Sequence, residues 1–182
     1  MTRTEIRLAG FGGQGIVLMG RILAQAAVHD KKETTQEESY GMETRGGRCK
    51  SDVIISDELI DYPEVINADI MVVMSQESLN FVNLLKDDGT LIIDPFHIKN
   101  LEGVKKKRVY KVAATEIANS QFRKPIVANM IMLGALIGLT NVLPEESVRQ
   151  AMDIVPKGTK EDNMKAFEKG LKIGIELRSS VS

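Results

Sequence analysis

The sequence has no tryptophan, and aromatic residues make up only 4% of its 182 positions. A core must therefore be built from Ile, Leu, Val, Ala and Met, and nine methionines are available as adaptable filler. There is one cysteine, Cys49. A single thiol cannot close a disulfide within the chain, nor can it supply the thiolates that an iron–sulfur cluster requires. The two histidines, His29 and His97, lack any second ligand at metal-binding spacing. No apolar run is long enough to span a bilayer; the longest candidate, residues 126–139, is short and contains Asn129. The first residues lead into a strand pattern without the apolar stretch of a secretory signal, so a reducing, cytoplasmic setting is expected. Neither sign of charge dominates: 24 basic against 25 acidic residues leave a formal net charge of -1. That balance argues against a nucleic-acid partner held by a basic surface. The one basic run, residues 105–108, reads as a solvated turn before a strand.

What the sequence does hold is a steady alternation of short apolar runs and helical repeats. Residues 6–10 read as a strand ending in glycine. Over residues 15–28, Ile16, Leu18, Met19, Ile22, Leu23 and Ala26 then recur at three and four, the spacing of a helix. A second strand is expected near residues 33–36, a loop over 38–48, and a buried strand over 49–56. A short helix is expected at 63–67, where Pro63 suits the first turn. Strands follow at 70–74, 90–94 and 108–112, with a helix over 76–85 capped by Ser75. Further helices are expected at 115–119, 125–139, 144–155 and 160–178. The pattern predicts one α/β domain over residues 1–182, a three-layer sandwich around a mostly parallel sheet with a Rossmann-like opening, helical from about residue 125 onward.

Gly10, Gly12 and Gly15 match G-x-G-x-x-G between a strand and a helix. Small residues allow a tight turn and let an anion approach the amides at the helix start. Three readings stand open. The turn could hold a dinucleotide, with Glu33, Glu37 or Glu38 on the ribose. It could simply pack closely under its helix. It could also present a nest of amides to a phosphate or carboxylate at a subunit boundary.

A second glycine-rich segment carries an unusual density of directional groups: Tyr40, Glu43, Arg45 and Arg48 among Gly41, Gly46 and Gly47. The glycines suggest a fixed backbone path. Arg45 and Arg48 could grip an anion or pair with Glu43. Asn129, alone in an apolar helix, is expected to hydrogen-bond a neighbouring loop. His97 reads as a surface or satisfied loop group, and His29 as a cation at a helix C-terminus.

Together these stretches resemble the gamma subunit of the 2-oxoacid:ferredoxin oxidoreductases. The resemblance is carried by Ile6-Arg7-Leu8-Ala9-Gly10-Phe11-Gly12-Gly13-Gln14-Gly15, by Ser39-Tyr40-Gly41-Met42-Glu43-Thr44-Arg45-Gly46-Gly47 followed by Ser51-Asp52-Val53-Ile54-Ile55-Ser56, and by Lys124-Pro125-Ile126-Val127-Ala128-Asn129-Met130. It extends from Glu5 to about Gly174. It departs from the pattern at Met42, where many relatives have proline, at Thr44, where alanine is usual nearby, and at the bulky Arg48-Cys49-Lys50.

The resemblance implies a subunit that is inactive alone. The complete enzyme, most similar to those acting on 2-oxoglutarate, would oxidatively decarboxylate a 2-oxoacid to an acyl-coenzyme A. Thiamine diphosphate, magnesium, iron–sulfur clusters and coenzyme A would lie on or with alpha, beta and ferredoxin-like delta subunits, and electrons would pass to ferredoxin. This chain would bind no cofactor alone and contact neither nucleic acid nor membrane. Gly12, Gly13, Gln14 and Gly15, with Tyr40, Gly41, Glu43, Arg45, Gly46 and Gly47, would form a rim facing the partners. Arg45 would meet an anionic group and Glu43 would orient it. The competing class is a free-standing Rossmann-type dehydrogenase that binds a dinucleotide.

Overall fold

The structure is a computed structural model that describes residues 3–41, 47–104 and 108–180. Among the described residues six strands form one sheet: β1 (Arg3–Phe11), β2 (Glu33–Tyr40), β3 (Arg48–Ser56), β4 (Ala68–Val73), β5 (Leu85–Ile93) and β6 (Arg108–Lys111). The α-helices among the described residues are α1 (Ile16–His29), α2 (Ala114–Ile117), α3 (Ala128–Thr140), α4 (Glu145–Ala151) and α5 (Lys160–Ser179). The strand order is β2-β3-β1-β4-β5-β6. β1, β4, β5 and β6 pair in parallel, whereas β3 is antiparallel to both β1 and β2. All strands but β3 therefore run the same way, and their carboxyl ends share one edge of the sheet.

Alternate residues of the central strands feed two separate cores. Ile6, Leu8, Val53, Ile55, Val72 and Ile92 face a thick helical layer made by α1, α3, α4 and α5. Ile54, Met71, Val73, Leu91 and Ile93 face a thin layer contributed by residues 65, 79, 82 and 98. Because both faces are covered, β4 and β5 are near-continuous apolar runs.

The thin-layer side also buries a charge pair. Arg7 of β1 donates to Asp52 of β3 through Nε (2.7 Å) and Nη2 (2.9 Å), and Nη2 also reaches the Val65 carbonyl. Lys50 Nζ adds a second cation 2.7 Å from Asp52. Such a bidentate pair is directional, and breaking it would leave a buried charge, at a cost of about 3–5 kcal/mol.

α3 and α5 cross at main-chain contact. A Cβ placed on Gly134 would lie 2.1 Å from the Phe167 carbonyl oxygen, and one on Gly170 would lie 1.9 Å from that of Ile131. Gly138 and Gly174 repeat the pattern one turn on, at 2.3 Å from the carbonyl oxygens of Leu171 and Ala135.

Several elements differ from the sequence expectation. Residues 63–67 form no helix. Their carbonyls are taken by side chains from the sheet: Pro63 accepts from Thr35 Oγ1 and Val65 from Arg7. The helix expected at 76–85 is a 3-10 helix, Glu77–Leu84, and β5 begins at Leu85. The buried Leu79, Val82 and Leu85 recur at every third residue, which suits three residues per turn. Ser75 does accept the Ser78 N–H at its start (3.2 Å). β2 continues to Tyr40, so the loop is shorter than expected at its start. Pro125–Val127 is a 3-10 turn leading into α3, and residues 118–122 wind as a π-turn after α2.

Candidate functional site

The turn after β1 is shaped by two left-handed glycines, Gly13 (φ 95°) and Gly15 (φ 76°). Gln14 sits between them and spends its whole side-chain amide on the scaffold. Its Oε1 accepts from the Phe11 N–H (2.7 Å) and its Nε2 donates to the Met74 carbonyl (2.9 Å). The exits of β1 and β4 are thereby tied together. Gly10 leaves room for this: a Cβ there would meet Gln14 Oε1 at 2.5 Å. Ser78 Oγ donates to the Gly10 carbonyl from the thin layer. Behind the turn, Asn129 Nδ2 approaches the Gly15 carbonyl (3.4 Å), the loop contact expected for that residue. Gly12 and Gly13 are exposed, and the first amides of α1 have no acceptor within the helix.

The second glycine segment joins this turn. The Gly12 N–H donates to the Gly47 carbonyl (2.9 Å), and the Gly41 N–H donates to the Arg48 carbonyl (2.7 Å), closing the stem of the β2–β3 connection. Tyr40 is 62% exposed at the end of β2. Its phenol is held above its ordinary value by partial loss of hydration and by the neighbouring Glu38 carboxylate. Glu43, Arg45 and Gly46 lie outside the described residues. Gly12, Gly13, Gln14, Gly15, Tyr40, Gly41 and Gly47 thus share one edge of the sheet.

Beside the turn opens a cavity of about 740 Å³ at the carboxyl ends of β1, β4 and β5. Met74, Phe96 and Ile126 give it apolar walls; Arg123, Lys124 and His97 supply nitrogen-bearing groups around them. Its wall is latched by Asp94, fully buried, which accepts from the Thr115 N–H (2.8 Å), Thr115 Oγ1 (2.6 Å) and the Phe96 N–H (3.0 Å). Gln76 adds a second latch by accepting the N–H groups of Lys99 and Asn100. Lys124 is already paired with Asp162, so the lining suits a molecule with an apolar body and an anionic group near Arg123. Sequence reasoning passed over Phe96, Thr115, Asn119 and Arg123, and treated His97 as a loop group; they come from separate connections that only the fold assembles.

The ribose carboxylate of a dinucleotide site is not where that reading needs it. The strand beside β1 is the antiparallel β3, so β2 lies two strand spacings from β1, about 10 Å. Glu38 is already engaged by Arg21 Nε at 2.9 Å. Cys49 is 3% exposed, and burial, reinforced by Glu38, pushes its thiol above the ordinary value. A buried neutral thiol without a second cysteine does not fit an iron–sulfur ligand set.

The fold is that of one subunit class, the gamma subunits of oxoacid ferredoxin oxidoreductases. Residues 5–173 match the model of the pyruvate ferredoxin/flavodoxin oxidoreductase family, and the chain belongs to that family. It is 47% identical over 183 residues to the 2-oxoglutarate synthase subunit KorC of Methanocaldococcus jannaschii, with 96% of each chain covered. The KorC subunit of Methanothermobacter thermautotrophicus is 40% identical, again with 96% of each chain covered. The keto/oxoacid ferredoxin oxidoreductase gamma subunit from Geobacter sulfurreducens superposes with a TM-score of 0.87 at 35% identity, over 97% of this chain and 98% of that one. The chain is accordingly a gamma-type subunit of a multi-subunit oxoacid:ferredoxin oxidoreductase, and the free-standing dehydrogenase reading is not supported.

Proposed function

We propose that this subunit serves a 2-oxoglutarate:ferredoxin oxidoreductase by forming one wall of a reaction chamber completed by alpha and beta subunits. The substrate follows from relatives that are named 2-oxoglutarate synthase subunits. In this reading the partners carry thiamine diphosphate with its magnesium, which supplies decarboxylation, and the iron–sulfur clusters that pass electrons to ferredoxin. Among the described residues no group of three His, Cys, Asp or Glu side chains is placed to hold a metal.

The observation that carries the reading is the Gly12–Gly47 hydrogen bond, which joins the two glycine bends into one rim beside the cavity. A rim at the carboxyl ends of parallel strands is where open α/β sheets receive ligands. Its contribution is to exclude water and to orient, with Arg45 meeting a carboxylate or phosphate of the 2-oxoacid or of coenzyme A and Glu43 aligning Arg45. Loss of one charge-assisted contact is worth about 1.5–3 kcal/mol, or roughly 10- to 100-fold in kcat/KM. Arg45→Ala in the reconstituted complex is expected to show that loss for one of the two substrates. Turnover, both KM values and assembly all at wild-type level would remove the role.

A further inference from the structure

We infer that the free edge of β2 is a docking strand that receives an extended segment of a partner subunit carrying basic and apolar residues in alternation. The inference needs only that the chain works inside a multi-subunit enzyme, and it is independent of the role given to Arg45.

β2 is the end strand of the sheet, and it pairs with β3 over eight residues without a register shift. Its outer rim of main-chain N–H and C=O groups is therefore long and regular. Edge strands of this kind are ordinarily blunted by proline, by charge (most often lysine), by a bulge or by shortness. The opposite edge, β6, has four residues among those described. β2 has no proline, lysine or bulge; what it carries is acid, at Glu33, Glu37 and Glu38. Glu38 is held by Arg21. Glu33 and Glu37 are exposed and form no ion pair among the described residues. They lie four residues apart on one face of the strand, the face on which Thr35 meets Pro63.

The other face of β2 borders a groove of about 460 Å³ between the strand and α1. Thr34 lines it from the strand, with Leu18, Ala24, Val28 and Ile154. Val28 is 55% exposed and Ile154 44%. A strand added to β2 would point successive side chains to opposite faces. On one face they would meet the two glutamates, and on the other they would cover Val28 and Ile154. The surface thus specifies its occupant: main-chain pairing along the edge, Lys or Arg opposite Glu33 and Glu37, and apolar residues at the alternate positions. The acidic face also disfavours a second copy of the same strand, whose glutamates would repel it.

Hydrogen exchange on the assembled complex tests this against the chain alone. The β2 amides turned away from β3 are expected to exchange at least tenfold more slowly in the complex; equal rates would overturn the inference. The double substitution Glu33→Lys/Glu37→Lys alters only exposed positions and should leave the melting temperature of the chain unchanged. It is expected to weaken assembly at least tenfold, and unchanged assembly would count against the docked strand. Carbodiimide coupling of Glu33 or Glu37 should capture a lysine of a partner subunit, whereas capture of a second copy of this chain would refute the stated occupant.

Discussion

Gly13 and Gly15 share a left-handed backbone but not the same tolerance of a side chain. A Cβ on Gly13 would meet nothing within 4 Å, whereas one on Gly15 would lie 2.1 Å from Asn129 Nδ2. Gly13→Ala is therefore expected to cost only the conformational penalty, about 1–2 kcal/mol. Gly15→Ala carries the same penalty plus a collision. In urea unfolding it should be the more destabilising change, and in an Asn129→Ala background its cost should fall toward that of Gly13→Ala. Equal losses at both glycines would show that Asn129 yields freely. The participants were legible separately: Gly15 through its motif and Asn129 as a polar residue in an apolar helix. Their meeting was not, because 114 residues separate them and only the packing of α3 against the turn brings them together. Gln14 was legible as a member of the turn, but its two scaffold hydrogen bonds depend on the neighbouring exit of β4.

Among the elements, α3 and α5 show how a pattern can hide in plain view. Counting apolar residues identifies both helices, yet Gly134, Gly138, Gly170 and Gly174 contribute nothing to such a count. Their role appears only when two helices are set against each other and the carbonyls of one fill the spaces left by the other. Gly170→Ala should force the helices apart and cost about 3 kcal/mol by chemical denaturation, since the obstacle is main chain that cannot rotate aside. A change below about 0.5 kcal/mol, the range of ordinary surface substitutions, would mean that the crossing relaxes without strain. Where local propensity misled, a side chain from elsewhere had claimed the backbone. Pro63 and Val65 give their carbonyls to Thr35 and Arg7, and the expected helical turn is lost.

At the scale of the whole molecule, the decisive feature is the antiparallel β3 between β1 and β2. Alternating strands and helices made a mostly parallel sheet legible, along with the glycine turn at its rim. Strand order was not legible, because each strand's local sequence is compatible with several neighbours. The consequence for ligands is testable: titration of the chain with nicotinamide and flavin dinucleotides should give no saturable heat, because the acidic end of β2 stands one strand too far from the turn. Binding at micromolar concentration would contradict this geometry. The choice of neighbour is itself enforced from within. Were β3 to slide by one residue along β1, Arg7 and Asp52 would be turned to opposite sides of the sheet, each stranded in an apolar layer. This one ion pair acts as the key to the sheet's lock: it rejects the neighbouring alignment of the hairpin, and so holds the acidic end of β2 away from the glycine turn.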